Sequence, residues 1–321
     1  MSEFADELTD LVRDLAKDAV PAVDGQLPGV WSKVQELGLT GIGIAEEAGG
    51  SGGELSDLLV VIRELARAGL DTPIVEAAVA AFAVGPADDG LFDTVTVSAD
   101  SGLGIVTFAP SARRVVVVGE SDVAVFELAD ADVDPVVDIA GRPAGRVRLA
   151  DAPCTHPGIT PDAVMERLVL ARSASLIGAC WGAYEMTKQY VMERYQFGAP
   201  LIKISAVSTS LAHMVVGIRT AESALRRALA TSCDPGATDL RRLGAVASAR
   251  IAAAQSATAV ARTAHQLHGA VGITTEYGLH RYTRTLWAQR DADQSELRWC
   301  ARLGAAALAA DEAALWEQLT A

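Results

Sequence analysis

Aromatic residues are scarce in this chain: 5 Trp, 5 Tyr and 6 Phe make up 5% of 321 residues. Ala, Leu and Val supply the bulk instead, which favours closely packed helices over an aromatic-rich β-sandwich. Basic residues are also in deficit, 27 Lys and Arg against 41 Asp and Glu, for a formal net charge of −14. That balance argues against nucleic acid as a partner, because phosphate binding draws on a surplus of cations along one face. A local basic patch and a phosphate-bearing ligand stay open. No uninterrupted run reaches the roughly 18 apolar residues of a membrane helix. The acidic, amphipathic opening MSEFADELTDLVRDLAKD has neither the apolar stretch nor the cleavage site of a secretory signal. Cys154, Cys180, Cys233 and Cys300 are scattered without a CxxC pair, and read as reduced thiols in a cytoplasmic protein. What is abundant is apolar material, 50% of residues. It excludes a disordered chain, and the length suggests two or three packed units.

The order along the chain is helical, then β, then helical again. Phe4, Leu8, Leu11, Val12, Leu15 and Ala19 share one helical face, and Pro21 is placed to stop it. Val30, Trp31, Val34 and Leu37 form a second helix closed by Gly38. Leu55, Leu58, Leu59, Ile62, Leu65 and Ala66 form a third, and Pro73 opens a fourth that runs to about Val84. Between Leu91 and Leu149 helical spacing vanishes; Val115–Val118 and Val123–Leu128 flank Gly-Glu-Ser-Asp as a hairpin. Beyond Pro161 long helices return, predicted at about 161–193, 239–268 and 295–320. Ile204, Val207, Leu211, Met214, Ile218, Ala221 and Leu225 keep the spacing of another bundle helix. The domain limits that follow are 1–86, 87–158 and 159–321.

Three stretches carry more than composition. VWSKVQELGLTGIGIAEEAGGSGG (30–53) is a helix followed by a glycine-rich loop, and its plain alternative is a tight connection. ArgTyrGlnPheGlyAlaProLeu (194–201) reads as a helix stop, or as a corner from which Arg194 and Gln196 meet a phosphate or an amide. In 266–281, Gly269 and Gly272 uncover main-chain N–H groups near a helix end, a plain turn or an anion nest. His265 and His268 sit one helical turn apart, but no Cys or carboxylate nearby completes a metal set. Arg226-Arg227 and Arg241-Arg242 read as solvated helix ends around the 231–238 loop. P-loop, Rossmann and Ser-His-Asp patterns are absent.

Together these stretches resemble the acyl-CoA dehydrogenase family, matching its LAELGL…PEEYGGxG, RxxFGxPI and QxxGGxGxxxEYPLxR segments in order. The resemblance covers most of 28–86 and 161–290. It implies a mainly α fold: an N-terminal helical domain, a reduced β middle domain and a C-terminal four-helix bundle. It also implies FAD, with Arg194, Gln196 and Phe197 touching the cofactor and Gln266, Gly269 and Ala270 lining its pyrophosphate. Ala45, Ser205 and Ala270 replace the Pro, Gln and Gly usual in the family. Between Leu91 and Asp151 its MTEPxxGSD-like strand and W-x-x-x-G-x-K-x-x-I-T-N segment are missing, so the half of the site that grips the flavin ring is not evident.

Acyl-CoA dehydrogenation needs a carboxylate over the α-carbon of the thioester. The family's commoner Glu-Gly-Thr step is absent; that stretch reads ArgAspAlaAspGlnSerGlu (290–296). Its second location, a Glu before Arg-Leu, is matched by Glu166 in MetGluArgLeuValLeu (165–170). The plain alternative for Glu166 is an acidic residue favoured by the helix dipole. The expectation is therefore a short subunit of an α2β2 acyl-CoA dehydrogenase, completing the FAD site of a full-length partner subunit. Its substrate would be a bulky, steroid-derived acyl-CoA, and its electron acceptor by family habit an electron-transfer flavoprotein. Two alternatives stay open: a self-sufficient homo-oligomer using Glu166, and a non-catalytic scaffold.

Overall fold

The computed structural model describes residues 4–20, 22–87, 90–98, 103–149 and 152–320, and divides into two compact units, Met1–Ala171 and Arg172–Ala321. Pro21 lies outside the described residues. The first unit begins with α1 (Ala5–Lys17), α2 (Trp31–Glu36), α3 (Leu55–Arg67) and α4 (Ile74–Val84). The apolar stripe of α1 lies against α3, with Val12 buried. Gly38 takes the left-handed conformation expected at the end of α2, with φ 65°. A capping box opens α3: Glu54 N–H donates to the Asp57 carboxylate at 2.7 Å, and the Glu54 side chain accepts in return. Almost every side chain of α4 is buried, as expected of a helix with little polar face.

Among the described residues seven short strands follow: β1 (Thr94–Val97), β2 (Ile105–Thr107), β3 (Arg114–Val118), β4 (Val123–Glu127), β5 (Asp132–Val137), β6 (Pro143–Arg148) and β7 (Cys154–Thr155). They form two sheets, ordered β1-β3-β4-β7 and β2-β6-β5. The β3–β4 hairpin has the predicted turn, with Val118 opposite Val123, while β1 pairs with β3 in parallel. Strand alternation divides the valines of β3. Val115 and Val117 enter a core with Val106, Leu128 and Val147, and α4 covers β1 and β3. Both faces are thus occupied, which accounts for a run of four valines. Trp31, Phe92 and Phe108 form a chain of edge-on aromatic contacts at 5.2 and 6.5 Å between helical and β segments.

α5 (Pro161–Glu193) carries the boundary between the units within its length. In the first unit its Arg167 is buried; Nη2 donates to Ile42 O at 3.0 Å and the guanidinium lies 4.5 Å from the Phe82 ring. That contact pins the glycine-rich loop. Gly50 is needed there because a Cβ would lie 2.2 Å from Ile44 O.

The second unit contains the rest of α5, the two-residue strands β8 (Tyr195–Gln196) and β9 (Ala199–Pro200), α6 (Ser205–Ser232), α7 (Asp239–His268), α8 (Leu279–Arg290), α9 (Glu296–Ala309) and α10 (Glu312–Thr320). α7 is central and packs against α6, α8 and α9. Its buried Ala249, Ala253, Ala257, Ala261 and Ala264 let neighbouring backbones approach. α5 joins the bundle through Trp181, whose indole N–H donates to Glu222 on α6 at 2.8 Å, and through Cys180 beside Ser256 on α7. A mainly α chain with a small sheet region in the middle is the architecture its patterning implies. The expected single helix over 295–320 is two: Ala310 is extended, and Asp311 accepts from Ala314 N–H at 2.8 Å to start α10. α8 and the β8–β9 hairpin were not anticipated.

Candidate functional site

Arg194 follows the last turn of α5, its N–H bonded to Tyr190 O at 2.8 Å. The chain then reverses in a two-residue hairpin rather than a simple helix stop. Tyr195 pairs with Pro200 and Gln196 with Ala199, leaving Phe197 and Gly198 at the tip with φ 54° and 79°. Positive φ at both central positions is the type I′ combination, which suits glycine and strains phenylalanine. Phe197 is nonetheless 91% exposed, so no packing among the described residues accounts for holding it there. Arg194 and Gln196 are also exposed, and their side chains have no partner among the described residues.

The second segment ends α7. Gln266 is exposed on the last turn, His268 is buried, and Gly269 turns the chain with φ 61° and ψ −141° into a short 3-10 helix over Gly269–Ile273. Nothing lies within 4 Å of where a Gly269 Cβ would stand, and Ala270 is exposed. Gly272 has a different role: it is buried, and a Cβ there would lie 2.7 Å from His268 Cβ. It permits close packing against His268 and Leu279.

Tyr190 and His268 bring the two segments together. Their rings stack at 4.4 Å, Tyr277 meets both edge-on or tilted, and Tyr190 hydroxyl donates to His268 O at 3.3 Å. His268 Nδ1 donates to Ala264 O at 2.8 Å. Burial lowers its pKa below the ordinary value; the Ala264 bond opposes this and His265 adds to it. His265 Nε2 meets Thr283 Oγ1 at 3.0 Å. Among the described residues no group of three His, Cys, Asp or Glu is arranged to hold a metal. Sequence reading missed Tyr190; its signal was position, one turn before Arg194.

Glu166 lies in the first unit, half-buried on α5, with no hydrogen bond or ion pair among the described residues. The six other candidates are in the second unit. The loop that replaces the Glu-Gly-Thr step is braced from within. Asp293, with φ 64°, accepts from Arg172 Nε at 2.9 Å and Nη2 at 3.4 Å, and both side chains are buried. Arg250 is fully buried; its Nη2 donates to the carbonyls of Gln289, Arg290 and Ala292. Burial pushes the Arg250 pKa down to about 10. The carboxylate of Asp293 is therefore committed to a cation. Arg242 likewise is no merely solvated helix end, since its guanidinium donates to Ser232 O and Asp234 O.

Residues 2–86 match the model of the acyl-CoA dehydrogenase N-terminal domain and residues 162–290 that of the acyl-CoA dehydrogenase C-terminal domain. Acyl-CoA dehydrogenase IpdE2 of Mycolicibacterium smegmatis is 27% identical over 305 residues, covering 88% of this chain and 92% of that protein. The structure titled Tcur3481-Tcur3483 steroid ACAD G363A variant aligns at TM-score 0.83 and 23% identity, over 95% of this chain and 97% of that one. A chain of the ChsE4-ChsE5 complex from Mycobacterium tuberculosis aligns at TM-score 0.79 and 21% identity, with the same coverages. Among the described residues no helix is long and apolar enough to cross a membrane. The three motifs, the fold that carries them and these matches agree: the chain belongs to the acyl-CoA dehydrogenase family.

Proposed function

We propose that this chain is one subunit of an FAD-dependent acyl-CoA dehydrogenase and completes the cofactor site of a longer partner of the same family. The observation that carries this reading is the pairing of the Arg194–Phe197 hairpin with the Gln266–Ala270 turn through Tyr190 and His268. One cation, two amides and an open glycine turn, all exposed, form a donor set suited to a diphosphate. FAD, when bound, supplies the acceptor for the hydride leaving the acyl β-carbon. Arg194 would neutralise the diphosphate, while Gln196, Gln266 and the main chain at Gly269 and Ala270 would orient it. Phe197 would lay its ring against the cofactor, the contact that offsets its strained backbone. Partner dependence is supported by the names of the two solved neighbours, each joining two proteins. The word steroid in one of them favours a bulky steroid-derived thioester as substrate, and an α2β2 assembly is the form this reading expects. An electron-transfer flavoprotein is the acceptor class it takes from the family.

A second reading rests on Glu166, a half-buried carboxylate with no partner among the described residues. In that reading Glu166 takes the α-proton of the substrate, and the chain acts alone. Flavin absorbance per mole of protein separates the two, measured on the chain alone and co-expressed with a full-length homologue. Colourless alone and yellow with the partner supports the shared site, and Arg194→Ala should then weaken FAD binding by about tenfold or more. Yellow alone, with dehydrogenation lost in Glu166→Gln, supports the second. Unchanged flavin content in Arg194→Ala and Gln266→Ala complexes would leave only a scaffold role.

A further inference from the structure

A thiol, an imidazole and a carboxylate meet on the β segment, none of them among the residues assigned above. β7 is the edge strand beside β4, with Cys154 opposite Phe126 and Thr155 opposite Val125. The two-residue period of a strand gives Cys154 and His156 one face. Asp122 ends the β3–β4 turn, where its carbonyl accepts from Gly119 N–H at 2.9 Å. A Cβ on Gly119 would lie 3.0 Å from Asp122 Oδ1, so glycine leaves that carboxylate room.

His156 Nδ1 lies 3.2 Å from Asp122 Oδ2 and 3.2 Å from Val123 O; its Nε2 lies 3.6 Å from Cys154 Sγ. Two oxygen acceptors on Nδ1 keep the ring proton there. Nε2 then turns its lone pair toward the thiol. Nucleophile, base and orienting carboxylate are in sequence, and all three are open to solvent: Cys154 is exposed, and the His156 and Asp122 side chains are 55% and 56% accessible. The other exposed thiols, Cys233 and Cys300, have no side-chain partner among the described residues. Cys180 is buried, with its thiol pushed up to about 12 by burial.

We propose that Cys154 is a nucleophilic thiol served by His156 and Asp122, and that its substrate class is the disulfide of a small-molecule thiol. The thiol proton passes to His156 Nε2, and Asp122 stabilises the imidazolium through Nδ1–H. Cys154 Sγ attacks one sulfur of the disulfide; the new S–S bond forms as the old one breaks. The displaced thiolate leaves and takes up the proton. The incoming disulfide is the oxidant, and the product is a mixed disulfide on β7 plus one small thiol.

The test is a time course of the full chain with glutathione disulfide at pH 7, quenched in acid and mapped by peptide mass spectrometry. Cys154 should be modified about tenfold or more faster than Cys233 and Cys300. His156→Ala should reduce Cys154 to their rate, and Asp122→Asn should slow it severalfold, both with unchanged circular dichroism. Equal rates at the three exposed cysteines overturn the proposal, as does a folded His156→Ala chain reacting at the wild-type rate. If His156→Ala does not fold, Asp122→Asn decides: a rate equal to wild type overturns it.

Discussion

Tyr190 holds His268 twice, by a ring stack at 4.4 Å and 24° and by a hydroxyl that donates to its carbonyl at 3.3 Å. Because Tyr190 is one turn before Arg194 and His268 precedes Gly269, this pair couples the two segments proposed to hold FAD. Tyr190→Phe keeps the stack and loses the hydrogen bond, an expected cost of about 1 kcal/mol. Tyr190→Ala removes both and should cost about 2 kcal/mol. Urea denaturation measures each. Flavin content of the complex should fall further in the alanine variant than in the phenylalanine variant.

The depressed pKa of His268 makes stability depend on pH in a stated direction. The folded chain holds this imidazole neutral, while the unfolded chain takes up a proton near the ordinary value of 6.5. Its contribution is complete above that value and is lost as pH falls through the lower, folded one. His265 is lowered by burial too and acts in the same sense. His268→Phe, which keeps a ring against Tyr190, should therefore lose less melting temperature than wild type between pH 7 and pH 5. Parallel curves for the two proteins would remove His268 as a contributor.

Arg250 gathers three carbonyls at the end of α8 with one nitrogen. Arg250→Met leaves those acceptors without a donor and should destabilise the chain by about 3 kcal/mol, read by urea denaturation. Lysine, a point charge on a flexible stem, should recover only part of this.

Asp93 is nearly enclosed and receives bonds from Arg113 and Arg114, the closest at 2.6 Å. Burial alone would raise its pKa; the two guanidiniums outweigh that and hold it below the usual carboxylate range. Its contribution is present above the unfolded value and disappears as pH falls through the folded one. Asp93→Asn should cost about 3 kcal/mol at pH 7, with the difference from wild type closing in strong acid.

Phe197 pits stability against the proposed function. Phe197→Asn gives the hairpin the Asn-Gly pair that a type I′ turn prefers, and should leave stability unchanged or raise it by about 0.5–1 kcal/mol. Flavin content of the complex should drop in the same variant. A fall in melting temperature would show that the phenylalanine is structural.

Periodicity made the long helices legible. Leu211, Met214 and Ile218 are buried on α6 as their spacing implies, and Val118 meets Val123 across the predicted turn. Contacts remote in sequence were not legible. Nothing local announces that β1 pairs in parallel with β3, or that Arg167 reaches Ile42. The β8–β9 hairpin was hidden because Phe-Gly is not a usual type I′ pair, so Gly198 read as a helix stop. The packing need for Gly272 is equally remote from local pattern: a Cβ there would lie 2.7 Å from His268 Cβ. Of the candidate site, the residues and their roles came from the resemblance of the motifs to the acyl-CoA dehydrogenase family. The Tyr190–His268 stack that joins the segments is a tertiary fact.

α5 runs without interruption for 33 residues, and the seam between the compact units falls between its Ala171 and Arg172. Each residue of a helix turns its successor by about 100°. Inserting or deleting one residue at that seam would rotate Ala174, Ile177 and Cys180 by that angle relative to Val164, Leu168 and Ala171, all of which are buried. A single inserted residue would therefore put the two buried faces of α5 out of helical phase with each other.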